Sequence, residues 1–349
     1  MKLLLLGLDG CAAQIMYERD LPNIRRLLED CSYQACMAEE DFPYTGPSWT
    51  NVYTGLPAAE HGVTDLWGRH TDESASYDTM EHPVLWEMLN HAGLSTGVVH
   101  MPIATTSRRV SGYVISGFPN DITYEGPIGE LMPLLGGRDI SDMIRLTPRD
   151  RILDNTWYRK YTLQQSVEMM RMLVEWKARA LRVLAQTHPV DCLFVQYSFL
   201  DRIGHLLNQY LRVHDGQGWD YSPLLELYEW FDGVLGELLN VGVDYERLVI
   251  VSDHGWPAEA GRPYIYDGKL FGAWHSHDGV LIMRGPGVEP GRKEMCMNYD
   301  VAGKTLELLG MDIDQLRRET AIEPADGGAH GRRPDADVIE ERLRALGYL

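Results

Sequence analysis

The segment Arg247-Leu-Val-Ile-Val-Ser-Asp253-His254-Gly255 is a short apolar run, rich in β-branched residues, that stops on a carboxylate and an imidazole. It reads as a buried strand delivering two metal-type ligands to a sheet edge, where open parallel sheets collect their chemistry. Alone, Asp253 serves equally well as the cap of a following helix and His254 as a surface residue. Two other runs end in the same way. Leu3 to Leu8 is followed by Asp9-Gly10, and Asp191 to Tyr197 by Asp201-Arg-Ile-Gly-His205. On a helical turn, a carboxylate and an imidazole four residues apart share one face and can share one cation. Gly272-Ala-Trp-His275-Ser-His277-Asp278-Gly279 offers a further histidine, and Asp41-Phe-Pro-Tyr-Thr45-Gly-Pro-Ser48-Trp49-Thr50 a hydroxyl-rich turn leading into a helix. Thr45, Ser48 and Thr50 are all candidate nucleophiles there, although a threonine before Gly-Pro also suits a plain N-cap or turn.

Asp9, Asp201, Asp253, His205, His254, one of His275 and His277, and the threonine make a hard-to-borderline N/O ligand set, suited to Zn²⁺ or Mn²⁺. Seven ligands are too many for one tetrahedral ion. They suit two ions sharing a hydroxyl oxygen, the arrangement in which metals roughly 3.5–4 Å apart clamp the attacking and leaving oxygens of a phosphoryl displacement.

The elements that must hold these residues alternate along the chain. After Leu3 to Leu8 comes a helix with Leu21, Ile24, Leu27 and Leu28 at helical spacing and Pro22 in its first turn. Helices are predicted over Pro83 to His91, Thr162 to Gln186 and Tyr228 to Leu239, with strands from Gly93 to His100 and at Gly112, Asp191, Leu248 and Val280. The pattern is α/β: a central, mostly parallel sheet flanked by helices, with a small inserted cap. Residues 1–119 and 161–310 form the core, 120–160 the inserted cap or lid in which substrate preference would reside, and 311–349 a C-terminal tail with a helix near Asp337 to Leu346.

The 349 residues carry a formal charge of −19, which argues against broad affinity for nucleic acid or anionic membranes. An anionic substrate would need local cations to overcome that field. The apolar start, Met1 to Leu8, is too short for a signal peptide and is broken by Asp9, and no later stretch is apolar for long enough to span a bilayer. Cys11, Cys31, Cys36, Cys192 and Cys296 are odd in number and lack C-x-x-C spacing, so they read as reduced thiols of a cytoplasmic protein.

In this order the motifs resemble the alkaline phosphatase superfamily, and within it the type I phosphodiesterase/nucleotide pyrophosphatase branch. The resemblance runs from Met1 to about Val288: Gly7-Leu8-Asp9-Gly10, Thr45-Gly-Pro-Ser-Trp49, Thr54-Gly55-Leu-Pro57 with His61-Gly62, and Pro83-Val-Leu-Trp86. Ser116-Gly117-Phe-Pro119, Asp201-x-x-Gly-His205, Ser252-Asp253-His254-Gly255 and His275 ahead of Gly279 and Gly285-Pro-Gly287 complete it. It implies an alkaline-phosphatase-like fold and two divalent ions, zinc before manganese. Asp9, Thr45, Asp253 and His254 would hold one, and Asp201, His205 and His275 the other, with His277 behind His275. Thr45 would be the nucleophile, forming a phospho-threonine intermediate. Ser48 stands where nucleotide pyrophosphatases commonly carry an asparagine, so the expected donor to a phosphoryl oxygen is shorter or replaced.

The implied activity is metal-dependent hydrolysis of small phosphodiesters, nucleotide or nucleotide-like, with neither a nucleic acid polymer nor a membrane as partner. The alternatives are a phosphonate hydrolase or phosphomonoesterase on the same core, or a non-catalytic metal-binding protein. A sulfatase is set aside because no Cys-x-Pro-x-Arg motif is present. The sequence leaves the oligomeric state open.

Overall fold

A computed structural model describes residues 1–64, 80–104, 108–115, 124–125, 163–213, 222–256, 264–266, 269–271 and 275–322. Its strands are β1 (Leu3–Leu8), β2 (Ser32–Met37), β3 (Thr96–Val99), β4 (Gly112–Ile115), β5 (Tyr124–Glu125) and β6 (Cys192–Tyr197). They continue with β7 (Arg247–Val251), β8 (Tyr264–Tyr266), β9 (Lys269–Phe271), β10 (Asp278–Arg284), β11 (Gly291–Arg292) and β12 (Cys296–Met297). The helices are α1 (Ala13–Glu18), α2 (Pro22–Glu29), α3 (Thr45–Thr54), α4 (Ala58–His61), α5 (Leu85–His91), α6 (Leu163–Thr187), α7 (Phe199–Val213), α8 (Ser222–Leu239), α9 (Asp300–Leu308) and α10 (Ile313–Glu319).

The main sheet runs β11-β2-β10-β7-β1-β6-β3-β4-β5, with β12 also on β2, while β8 and β9 form a separate ribbon. The centre, from β7 to β4, is parallel, and antiparallel β10 joins it to β2. β1 is buried along its whole length, as expected of a central strand with helices on both faces. Period-two alternation divides it: Leu4, Leu6 and Leu8 enter the core under α1, α2, α6, α7 and α8, and Leu3 and Leu5 the core under α3, α5, α9 and α10.

Register places the site. Gly7 lies level with both Gln196 and Val251, so β1, β6 and β7 end together and their following residues emerge at one edge. The expected mostly parallel α/β sheet with flanking helices is what forms.

α6 and α5 lie within a few residues of the helices read from sequence, and α8 starts earlier, at Ser222. The sequence reading placed no strand at β2, whose Tyr33, Gln34 and Cys36 mix polar and apolar residues, and no helix at α1, α9 or α10. α10 opens the segment beyond residue 310 and docks on the core, with Leu316 buried and Arg317 donating to the carbonyls of Thr54 and Gly55. Of the inserted segment 120–160, only β5 is described. The rest of it, Ser116 to Pro119 and the helix expected near Asp337 to Leu346 lie outside the described residues. The five cysteines are free and buried, and no described helix is long and apolar enough to cross a membrane.

Candidate metal centre

Three strand ends deliver the carboxylates. Asp9 extends the β1–β6 ladder, its N–H donating to Tyr197 O at 2.9 Å, and its own carbonyl accepts from Asp201 N at 3.2 Å. Gly10 must follow: it sits at φ +75°, and a Cβ there would lie 2.9 Å from the Asp201 backbone. Beyond β7, Ser252 Oγ accepts from Cys11 N at 2.9 Å and donates to His254 O at 2.6 Å, tying the Asp253-His254 turn to the Asp9 turn. A two-way backbone bridge between Gly255 and Ser276 brings in His275, whose ring stacks on His254 with centroids 3.8 Å apart.

Six of the expected ligands therefore meet, all of them buried. His254 Nε2 lies 3.6 Å from Asp9 Oδ1 and 3.3 Å from Asp253 Oδ2. Asp201 Oδ1 lies 3.4 Å from His205 Nε2 and 3.1 Å from His275 Nε2, and these two nitrogens are 3.2 Å apart. The ligand atoms form two overlapping groups, Asp9-Asp253-His254 and Asp201-His254-His275, each within 4.8 Å. His254 stands between them, whereas the resemblance grouped it with Asp9, Thr45 and Asp253. His277 lies outside both groups; its carbonyl accepts from Ala38 and Gly279.

Asp9 Oδ1, Asp253 Oδ2 and His254 Nε2 are buried without a hydrogen-bond partner. Such orphans are costly, and two carboxylate oxygens cannot satisfy each other. Burial, then the nearby Asp201 charge, pushes the Asp9 carboxyl well above the usual range. Burial, then Asp9 and Asp201, does the same to Asp253. Burial, then His275, holds His254 well below an ordinary histidine, and burial also lowers His275. Burial alone would raise Asp201, but the His205 and His275 imidazoles outweigh it and hold the carboxyl well below its usual value. Neutral imidazoles and orphaned carboxylate oxygens are the donor set a divalent cation takes, so the residues fit such an ion.

Thr45 opens α3 and is buried at the positive end of that helix. The three hydroxyl candidates differ in their bonding. Thr50 Oγ1 donates to Gly46 O and Ser48 Oγ to Phe42 O, both at 2.8 Å, whereas the Thr45 hydroxyl makes no hydrogen bond among the described residues. Thr45 is thus the candidate whose oxygen is uncommitted. The Ser48 proton is spent on its own loop.

A profile of the type I phosphodiesterase / nucleotide pyrophosphatase family matches residues 3–288. The chain belongs to that family. No curated protein matches it by sequence. By structure, this phosphodiesterase-family chain is similar to murine ectonucleotide pyrophosphatase/phosphodiesterase 5, at TM-score 0.53 and 13% identity over 90% of this chain and 96% of that one. The human protein of that name gives 0.53 and 13%, covering 95% and 98%. Phosphonate monoester hydrolase from Silicibacter pomeroyi gives 0.50 and 14%, covering 89% and 74%. At these identities the likeness concerns the fold.

In this member of the phosphodiesterase family, the groups that aim the ligands were not singled out from sequence. Trp49 Nε1 and Gln196 Nε2 donate to Asp9 Oδ2 at 3.1 and 2.9 Å, which leaves Oδ1 facing the cluster. Trp256 Nε1 donates to Asp201 Oδ1 at 3.1 Å. His275 Nδ1 donates to Pro43 O at 2.7 Å, which orients the ring so that Nε2 faces the cluster. Trp49 closes a quoted motif, Trp256 directly follows one, and Gln196 is the last residue but one of β6. Their sequence signal was position alone.

Proposed function

We propose that the chain is a dinuclear-metal-dependent hydrolase of phosphodiesters, nucleotide or nucleotide-like, with zinc favoured over manganese. Asp9, Thr45, Asp253 and His254 would hold one ion, and Asp201, His205 and His275 the other. The observation that carries this reading is the set of three buried, partnerless ligand atoms, Asp9 Oδ1, Asp253 Oδ2 and His254 Nε2, beside the Asp201 group.

When bound, the ions lower the pKa of a coordinated hydroxyl and offset the charge gathering on the phosphoryl oxygens. The Thr45 hydroxyl gives up its proton to solvent as its oxygen attacks phosphorus in line, and the leaving alkoxide departs with the bond's electron pair and takes a proton from solvent. The Thr45 and Gly46 N–H groups, at the positive end of α3, would face the developing negative charge. Water then cleaves the phospho-threonine and restores the hydroxyl. Trp49, Gln196 and Trp256 keep the carboxylates oriented throughout.

An inactive threonine-to-alanine variant of the murine relative is solved in complex with AMP, which supports both the threonine and the nucleotide in this reading. A phosphonate or phosphomonoester substrate is the alternative on the same core. It is favoured by Ser48, whose hydroxyl is committed to Phe42 O where the diesterases commonly carry an asparagine. The free, buried cysteines support a reducing, cytoplasmic compartment. Preference among substrates would lie with residues 120–160, inserted between core segments 1–119 and 161–310.

The test is metal content by elemental analysis with bis-p-nitrophenyl phosphate turnover before and after chelation and add-back. About two zinc or manganese ions per chain are expected, with turnover that chelation abolishes. Thr45→Ala should lower kcat by at least about 10³-fold. Full activity in that variant sinks the threonine mechanism, and faster turnover of p-nitrophenyl phosphate than of the diester selects the alternative.

A further inference from the structure

Beside the acidic cluster lie two basic residues, His100 and Lys177, that form no ion pair with a carboxylate among the described residues. β3 pairs with β6 in parallel, Val99 opposite Val195, so His100 stands one step past β3, level with Gln196. Lys177, on α6, donates its ammonium to Gln196 O and lies 4.8 Å over the Tyr197 ring. Gln196 thus faces both ways: its carbonyl holds Lys177 and its side chain holds Asp9 Oδ2. The basic pair is one residue from the reacting centre.

Both members are in costly states. His100 adopts φ +56°, a left-handed conformation that a non-glycine residue keeps only when its surroundings impose it, and such strain gathers at binding sites. Its Nε2 is buried without a partner. Burial, then Lys177 and Arg202, lowers the histidine, and burial, then Arg202, lowers the lysine. Among the described residues, the charges that bear on either group, Lys177 and Arg202, are basic, in a chain of net charge −19. Burial without a counter-charge favours the neutral form of both groups, and an anion placed between them would restore the protonated forms.

We propose that His100 and Lys177 form a subsite for a second anionic group, a phosphate or a carboxylate, carried by the substrate next to the phosphorus that Thr45 attacks. The word substrate rests on the hydrolase reading above; the anion site does not. An incoming anion accepts from the Lys177 ammonium and from a protonated His100 Nε2, and supplies the counter-charge that both groups lack.

Two measurements on the full-length protein as purified test this. The first is kcat/KM for ATP, which carries further phosphates, relative to bis-p-nitrophenyl phosphate, which carries none. The second is the Kd of inorganic pyrophosphate by calorimetry, which needs no turnover. For Lys177→Met, and separately for His100→Gln, the kcat/KM ratio should fall about tenfold or more and the pyrophosphate Kd rise to match. Lys177→Arg, which keeps the charge, should restore part of both. An unchanged ratio in an active protein overturns the substrate subsite, even if pyrophosphate binding weakens, because the anion is then a free one. Equal pyrophosphate binding by wild type and both variants overturns the anion site itself. Weakened pyrophosphate binding in a protein that turns over neither ester upholds the anion site and counts against the hydrolase reading instead.

Discussion

The two halves of the ligand cluster are built from the same residue types but left in opposite states. Around Asp201 the polar atoms satisfy one another: its Oδ1 accepts from Trp256 and contacts both His205 and His275, and His275 is held from behind by Pro43 O. Around Asp9 and Asp253 the outer oxygens are anchored, by Trp49, Gln196 and Gly10 N, while the inner ones and His254 Nε2 meet no donor. Environment, rather than composition, separates a settled half from a frustrated one. A cation entering the frustrated half replaces repulsion, whereas at the settled half it must first displace existing contacts. The Asp9-Asp253 half should therefore bind first and more tightly.

The largest effect that could break this contrast is on turnover and stability together. Asp253→Asn should cost at least about 10³-fold in diesterase activity yet leave the chelator-treated protein as stable as wild type or more so, because it removes a repelled charge. Asp201→Ala should also abolish activity but destabilise the chelator-treated protein by about 1–3 kcal/mol, because Trp256 Nε1 loses its acceptor. Equal stability changes on thermal melting would show that the halves do not differ.

An intermediate effect concerns the supporting donors. Gln196→Leu and Trp256→Phe should each weaken metal binding by about 10–100-fold, but at different stoichiometric steps in a zinc titration: the first at the tighter site, the second at the weaker one. Both variants acting on one step would mean that a single ion spans the whole cluster.

The smallest effect is the pH dependence of the chelator-treated protein. Asp9 and Asp253 are raised above the ordinary 3.8, so the stability they contribute is full below that value and is lost as pH rises through their folded values. Asp201 is depressed, so its contribution is full above 3.8 and is lost only as pH falls through its lower folded value. Under chelation the two carboxyls therefore pull the melting temperature down as pH rises above 3.8, while the lowered His254 and His275 pull it up as pH rises below 6.5, so the decline should show in wild type measured against Asp253→Asn. Zinc should reverse that slope, since its ligands release their protons more readily as pH rises. A chelator-treated wild type that gains stability relative to Asp253→Asn as pH rises would contradict the raised carboxyls.

Much of the site was legible because strand ends are local events. An apolar run stopping on Asp9 or on Asp253-His254 needs no distant information to be read, and the four-residue spacing of Asp201 and His205 predicts a shared face wherever that helix lies. Which hydroxyl is free was not legible. Thr45, Ser48 and Thr50 differ only in what their oxygens meet, and Ser48 meets Phe42 O through a loop geometry that no spacing rule gives. β2 escaped notice because half its residues are polar, and it is held between β10 and the short β11 and β12 by partners from far along the chain. α10 escaped because its charged face resembles a solvated tail, while the single buried Leu316 that docks it carries no period.

By itself, the sequence determined the alternation of strand and helix, the order of the ligand-bearing turns and the glycines those turns require, because each is written within a few neighbouring residues. Only the tertiary structure decided that Gln196 would stand between an acidic centre and a basic pair, that His275 would stack on His254, and that three ligand atoms would be left without partners. The place of Gln196 and the partnerless atoms depend on the parallel register of β1 with β6 and β7 and of β3 with β6, and the His275 stack on the antiparallel bridge of Gly255 with Ser276. Burial then turns that proximity into charge–charge energies that no stretch of sequence contains.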